Sequence, residues 1–315
     1  MMSTRQMADA APEARPLRDE RDWWRVRALL VATHATVRPG WNWDIRRWDG
    51  WRFHAEEPVS QEELARVVGL WETPDGRLRG AVHPESPGEA YLQLDPDFRH
   101  LEPAMVAWAE EHLATTPGAD QDRSLTLYVD DADEPRRRVL AERGYVMADA
   151  GGWLRWLRLD DRPPQVPPSL PGGYRLRPTE GADGDCARMA ALLNAAFGRT
   201  VHTAREYHTF MDRSPSFEHE LNLVAVAPDG SFAAHAGFAY DPDNRHGIVE
   251  PVCTHPDHRR LGLARTLVLE GIHRVAARGA RTASLATGEG LAANALYADC
   301  GFTTAHHVHP WRREL

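Results

Sequence analysis

Residues 250–275 read EPVCTHPDHRRLGLARTLVLEGIHRV. An apolar segment ends in a turn at Pro256-Asp257, two arginines and a Leu-Gly-Leu-Ala follow, and apolar residues then recur at helical spacing. A strand that hands over to a helix through paired arginines and a glycine has an electrostatic logic. The helix start offers unpaired backbone N–H groups and the positive end of its dipole, and glycine lets an anion come close. The stretch predicts a phosphate-binding turn.

Working outward, the flanking elements follow. Downstream, TASLAT reads as a strand, residues 291–300 as a helix and FTTAHHVHPW as a final strand. Upstream, residues 173–178 alternate like a strand, and Met189, Leu192, Leu193 and Phe197 give residues 182–197 a helical period. LNLVAVAPDGSFAAHAGFAY predicts a hairpin around Asp229-Gly230. GIVEPVCT predicts a buried strand with a bulge or an unpaired site at Pro251, which has no N–H to give a ladder. Strand, helix, three antiparallel strands, helix, strand, helix, strand is the order of an α/β (α+β) domain, a mixed and mostly antiparallel sheet flanked by helices.

The same landmarks occur earlier in the chain. Pro96-Asp97 precedes Pro256-Asp257 by 160 residues, the turn Pro74-Asp75-Gly76 precedes Pro228-Asp229-Gly230 by 154, and VLAERGY, ending at Tyr145, precedes ALYADCGF, ending at Phe302, by 157. Three ordered landmarks at nearly equal offsets indicate a tandem duplication. Between the copies, DDRPPQVPPSLPGG holds five prolines and two glycines and reads as a semi-rigid linker. The expected organisation is a disordered tail at 1–14, a first domain at 15–159, a linker at 160–172 and a second domain at 173–315.

Composition bounds the partners. Apolar residues make up 42% of the 315 and charged residues 26%, and no apolar run approaches the roughly 20 residues that span a bilayer. The N-terminus lacks the hydrophobic core of a signal peptide, and Cys186, Cys253 and Cys300 have no framework spacing, so a cytoplasmic protein with reduced thiols and no membrane contact is expected. The net charge of −9 argues against a general nucleic-acid binder. All 37 basic residues are arginine, which with abundant alanine suggests a bacterial genome of high GC content. Monomer and homodimer stay open.

With these residues in view, the second copy resembles the GNAT superfamily of N-acetyltransferases. The motif that carries the resemblance is Arg259-Arg260-Leu261-Gly262-Leu263-Ala264, followed at the family's distance by ANALYADCGF. The resemblance implies two tandem GNAT-like domains, the second of them catalytic. It also implies acetyl-CoA as cosubstrate, with its pyrophosphate cradled by the N–H groups of Leu261, Gly262, Leu263, Ala264 and Arg265 and its phosphates neutralised by Arg259, Arg260 and Arg265. The backbone of Val252, Cys253 and Thr254 is implied to pair with the pantetheine arm. Tyr297 stands at the general-acid position, and Asn294, one turn earlier, is a cofactor contact replacing the family's asparagine, since Gly290 occupies that position here.

The acceptor is expected to be an amine of a small molecule or peptide, attacking directly in a ternary complex. Its base is expected to be Glu250, which shares a strand face with Val252, with Glu218, Glu220 and Tyr240 as alternatives. A non-catalytic acyl-CoA binder, another acyl donor and a hydroxyl acceptor are the competing readings. His307 and His309 share a strand face, but no cysteine or carboxylate stands at zinc spacing in the nearby sequence, so no metal is expected. The first copy has Glu102 where the second has Gly262, Pro103 in the same loop and Leu140 at the position of Tyr297, so it is expected to bind no coenzyme A. Ten of the eleven tryptophans lie before the linker, and Trp41, Trp43, Trp48 and Trp51 either fill the core or form an aromatic wall for the acceptor.

Overall fold

A computed structural model describes residues 13–37, 39–116, 122–160, 165, 167–181 and 183–315. Most of the expected tail and part of the expected linker (161–164 and 166) lie outside the described residues. In chain order the first half carries β1 (Glu13–Pro16), α1 (Glu20–Thr33), α2 (Ile45–Phe53), α3 (Gln61–Val67), β2 (Gly69–Glu72), β3 (Leu78–His83), β4 (Glu89–Leu94), α4 (Glu102–His112), β5 (Ser124–Asp130), α5 (Glu134–Glu142) and β6 (Val146–Met147). The second carries β7 (Gly152–Arg158), β8 (Arg175–Pro178), α6 (Asp183–Phe197), α7 (Ala204–Arg213), β9 (Asn222–Val226), β10 (Phe232–Asp241), β11 (His246–Thr254), α8 (Leu263–Ala277), β12 (Thr282–Gly288), α9 (Ala293–Asp299) and β13 (Thr304–Glu314). Among the described residues no helix is long and apolar enough to cross a membrane.

Two compact units emerge from the packing, and neither is contiguous in sequence. The first comprises the described residues of Met1–Asp44, Ser60–Trp153 and His306–Leu315, and the second Ile45–Val59 and Leu154–Ala305. In the first unit the strand order is β1-β2-β3-β4-β5-β13, with β6 also on β13. The C-terminal strand β13 therefore runs antiparallel to β5, with Val308 opposite Asp130 and Glu314 opposite Ser124. In the second unit the order is β8-β9-β10-β11-β12-β7.

The second unit's core lies between the sheet and α8. Leu263, Leu267, Ile272 and Val275 recur at helical spacing and are buried against Leu223, Ala225, Ala234, Ala236 and Phe238, which alternate along β9 and β10. The segment Ile45–Val59 packs on α7: Arg46 lies 4.2 Å over the Phe210 ring, and Thr209 donates to the Glu56 carbonyl at 3.0 Å. Sequence reading passed over α7, although Thr203 and Glu206 form a reciprocal capping box at its start.

Four tryptophans divide between the units. Trp43 is buried against His83 and Tyr91 in the first. Trp41 lies there under the Arg99 guanidinium at 4.0 Å. Trp48 is fully buried in the second, with Trp51 half-buried beside it at 5.4 Å.

This exchange of segments carries a prediction. A fragment of residues 173–315 leaves β12 without β7, α7 without Ile45–Val59 and β13 without β5, exposing strand edges and apolar faces together. It is expected to lack a cooperative urea transition. A sharp transition matching that of the full chain would show the second copy to be self-sufficient.

Candidate active site

The turn singled out in the sequence is built as a tight loop on the start of α8. Arg260 has a left-handed φ of 65°, which side-chain-bearing residues rarely adopt, and Gly262, the residue before the helix, has φ 76°. No side chain caps α8, and the first helical bond runs from Thr266 N to Gly262 O at 3.1 Å. The N–H groups of Leu263, Ala264 and Arg265 thus have no intrahelical partner. A Cβ built on Gly262 meets nothing within 4 Å, so space is open where an anion would approach.

The arginines differ in availability. Arg259 donates to the Ala196 carbonyl at 3.2 Å and so ties the loop to α6. Arg265 donates to Gln165 Oε1 at 3.0 Å. Arg260 is exposed and, among the described residues, has no hydrogen-bond or ion-pair partner. Leu261 is exposed and Leu263 is buried in the core.

Beside the loop, β11 separates from β12. Parallel pairing covers only His246–Ile248 against Thr282–Ser284, whereas pairing with β10 continues to Thr254. The ladder to β10 shifts between Ala236 and Phe238, opposite Glu250-Pro251, so the bulge lies where the proline predicts it. Beyond Ile248, the backbone of Val252, Cys253 and Thr254 has a ladder to β10 and none to β12. Its other edge is suited to an added extended ligand.

Tyr297, on α9, is 6% exposed, and its hydroxyl makes no hydrogen bond among the described residues. Burial first, and then the thiols of Cys253 and Cys300, push it up to about 12, so the phenol stays protonated at neutral pH. Burial likewise pushes the Cys253 thiol up to about 12, which makes it a poor nucleophile. Asn294, expected on the cofactor, uses its amide within the protein. Its Nδ2 donates to the carbonyls of Gly288 at 3.0 Å and Leu291 at 3.1 Å, and its Oδ1 accepts from Arg155 at 2.9 Å.

The acidic candidates separate by their partners. Glu218 is ion-paired with Arg278 at 2.9 Å and Glu220 with Arg274 at 2.9 Å, while the Tyr240 hydroxyl donates to the Arg278 carbonyl at 3.0 Å. Glu250, at the bulge, is exposed and has no such partner among the described residues.

The first unit fills the equivalent turn with its own charges. Glu102 opens α4, is 1% exposed and meets Arg99 at 2.8 Å and Arg136 at 3.2 Å, while Arg99 also reaches Asp133 at 2.6 Å. Burial acts against the Arg136 charge, but Glu102 and Asp133 hold its pKa above the usual arginine value. A protein carboxylate thus sits at the helix start where the second unit has open space. Leu140, at the Tyr297 position, is a core residue.

Fold and site together define a class: a mixed-sheet protein of two related units, one of which has a bare helix start beside a splayed, bulged strand. Residues 187–302 match the acetyltransferase (GNAT) family and form a GNAT acetyltransferase domain. The mycothiol acetyltransferase of Kineococcus radiotolerans is 34% identical over 145 residues, so the match spans 44% of this chain and 45% of that protein, less than half of either. A GCN5-related N-acetyltransferase from Sphaerobacter thermophilus shares the fold with a TM-score of 0.63 at 23% identity, over 96% of this chain and 95% of that one. A tandem GNAT protein from the clavulanic acid biosynthesis pathway does so with a TM-score of 0.67 at 21% identity, over 96% and 98%. The two solved structures show the fold, and the family match over residues 187–302 supports an acyltransferase.

Proposed function

We propose that the second unit is an N-acetyltransferase that moves an acetyl group from acetyl-CoA to the amine of a small molecule or peptide. The observation that carries the reading is the open, uncapped start of α8 at Gly262 next to the unpaired edge of β11. Acetyl-CoA supplies an activated thioester. The N–H groups from Leu261 to Arg265 hold its pyrophosphate, and Arg260 and Arg265 neutralise its phosphates. Val252, Cys253 and Thr254 align its extended arm through backbone bonds, and a backbone N–H there stabilises charge on the thioester oxygen.

An ammonium with a pKa of about 10.4 costs roughly 4–5 kcal/mol to deprotonate at pH 7. Glu250 takes that proton, directly or through water, because it is exposed at the bulge and has no hydrogen-bond or ion-pair partner among the described residues. The Tyr297 hydroxyl donates to the departing sulfur. The inert Cys253 favours direct attack by the amine over an acyl-enzyme route. The first unit, with Glu102 in its loop, takes no acetyl-CoA. The partial likeness to a mycothiol acetyltransferase supports acetyl transfer.

Glu250→Gln tests the base. It is expected to lower kcat by about 10²-fold or more while acetyl-CoA affinity holds. Unchanged turnover at neutral pH would remove Glu250 from the mechanism.

A further inference from the structure

Along the chain no cysteine or carboxylate stands at zinc spacing near His307 and His309. In the first unit's fold, a carboxylate does. Asp131, in the turn after β5, is 176 residues from His307, and its backbone N–H donates to the His307 carbonyl at 2.9 Å. The Nδ1 of His309 donates to Asp131 Oδ1 at 2.6 Å, and the Nδ1 of His307 donates to Oδ2 at 3.2 Å. We propose that Asp131, His307 and His309 form a binding site for a divalent transition-metal ion of the zinc class.

The geometry is that of a His-x-His pair on one strand face closed by a carboxylate from the neighbouring turn. Side chains two apart on a strand point the same way, and the two rings lie 4.0 Å apart. His306, on the opposite face of the strand, turns to Asp130 instead. Ligand atoms of the three residues all lie within 4.8 Å of one another. Zinc bonds of about 2.0–2.1 Å at tetrahedral angles separate neighbouring ligand atoms by about 3.3 Å. Against that spacing the 3.2 Å contact of His307 with Asp131 opens by about 0.1 Å and the 2.6 Å contact of His309 by about 0.7 Å.

Surrounding residues hold the rings in position. Trp153 stacks on His307 at 4.2 Å. A Cβ on Gly151 would come 2.7 Å from the Val308 carbonyl and 3.0 Å from His307 Nε2 and His309 Cδ2, so glycine lets the backbone pass close to β13 and its two rings. The His309 side chain is 10% exposed and that of Asp131 44%, which buries the nitrogen ligands and leaves coordination positions open to water. An imidazole pair with one carboxylate suits zinc, cobalt or nickel rather than magnesium or calcium. The bound ion pins β13 to the β5 turn.

A second histidine–carboxylate group, His54, His202 and Glu206, lies in the other unit and supplies the control. There, Glu206 is already engaged by the backbone N–H of Thr203 in the α7 capping box. The test uses the chelator-stripped full chain titrated with Zn²⁺ against a chromophoric chelator, with Co²⁺ absorption as a parallel readout. Asp131→Asn and His309→Gln are each expected to weaken Zn²⁺ binding by about 10-fold or more, whereas His202→Gln leaves it unchanged. Zn²⁺ should also raise the melting midpoint of the wild type and of His202→Gln, but not of Asp131→Asn. Should His309→Gln fail to fold, the conservative change at the part-exposed Asp131 decides alone. No saturable binding up to millimolar Zn²⁺, or binding that responds only to His202→Gln, overturns the proposal.

Discussion

Replacing Gly262 with glutamate is expected to weaken acetyl-CoA binding by about 10³-fold or more. The carboxylate would stand roughly 4 Å from the pyrophosphate position, where like charges repel by about 4 kcal/mol at an effective dielectric constant near 20. Each 1.4 kcal/mol is about a factor of ten in affinity. The left-handed backbone at Gly262 adds a cost of about 1–2 kcal/mol to folding. Gly262→Ala separates the two effects: no atom lies within 4 Å of the added Cβ, so it bears the backbone cost and keeps its affinity. Calorimetry should find one site per chain in the wild type and in Glu102→Gly, because Glu102 closes only the first unit's loop. Two sites per chain, or a Gly262→Glu protein that binds within tenfold of the wild type, would contradict this.

Tyr297→Phe is expected to lower kcat by about 10²–10³-fold with little change in acetyl-CoA affinity, the loss expected for one donor aimed at developing charge. The raised pKa decides how the hydroxyl acts. A phenol held at about 12 is a weaker acid than a thiol of about 8.5, so complete transfer to the leaving sulfur is uphill by roughly 5 kcal/mol. On the proposed reading, Tyr297 then serves as a hydrogen-bond donor to the departing thiolate, which takes its proton from water. Because the raised pKa keeps the phenol protonated, its ionisation contributes no falling limb to the pH–rate profile below about pH 10. Near wild-type turnover in the phenylalanine variant would reduce Tyr297 to a packing residue.

Local chemistry was legible in the sequence. The Arg-Arg-Leu-Gly stretch announced its turn because a bare helix start and a glycine are local features, and Pro251 announced its bulge because a missing N–H is a local fact. Glu102 showed the first copy's turn to be altered, though not that Arg99, Arg136 and Asp133 enclose it. What stayed hidden depended on distant partners. Alternation in the C-terminal residues marks a strand, but nothing in it indicates that β5 is its neighbour. Ile45–Val59 packs on α7 through contacts about 150 residues apart, such as Thr209 with Glu56. The Asn294 amide serves Gly288, Leu291 and Arg155, which only the folded chain brings near.

Thiol release from acetyl-CoA across a panel of amines, measured for the full chain beside Gly262→Glu, tests the assignment of acetyl transfer to the second unit most directly. The expected result is amine-dependent release by the wild type, a matching acetylated amine, and neither product with the variant. Tight acetyl-CoA binding without thiol release for any amine would contradict it and make the second unit a binder rather than an enzyme.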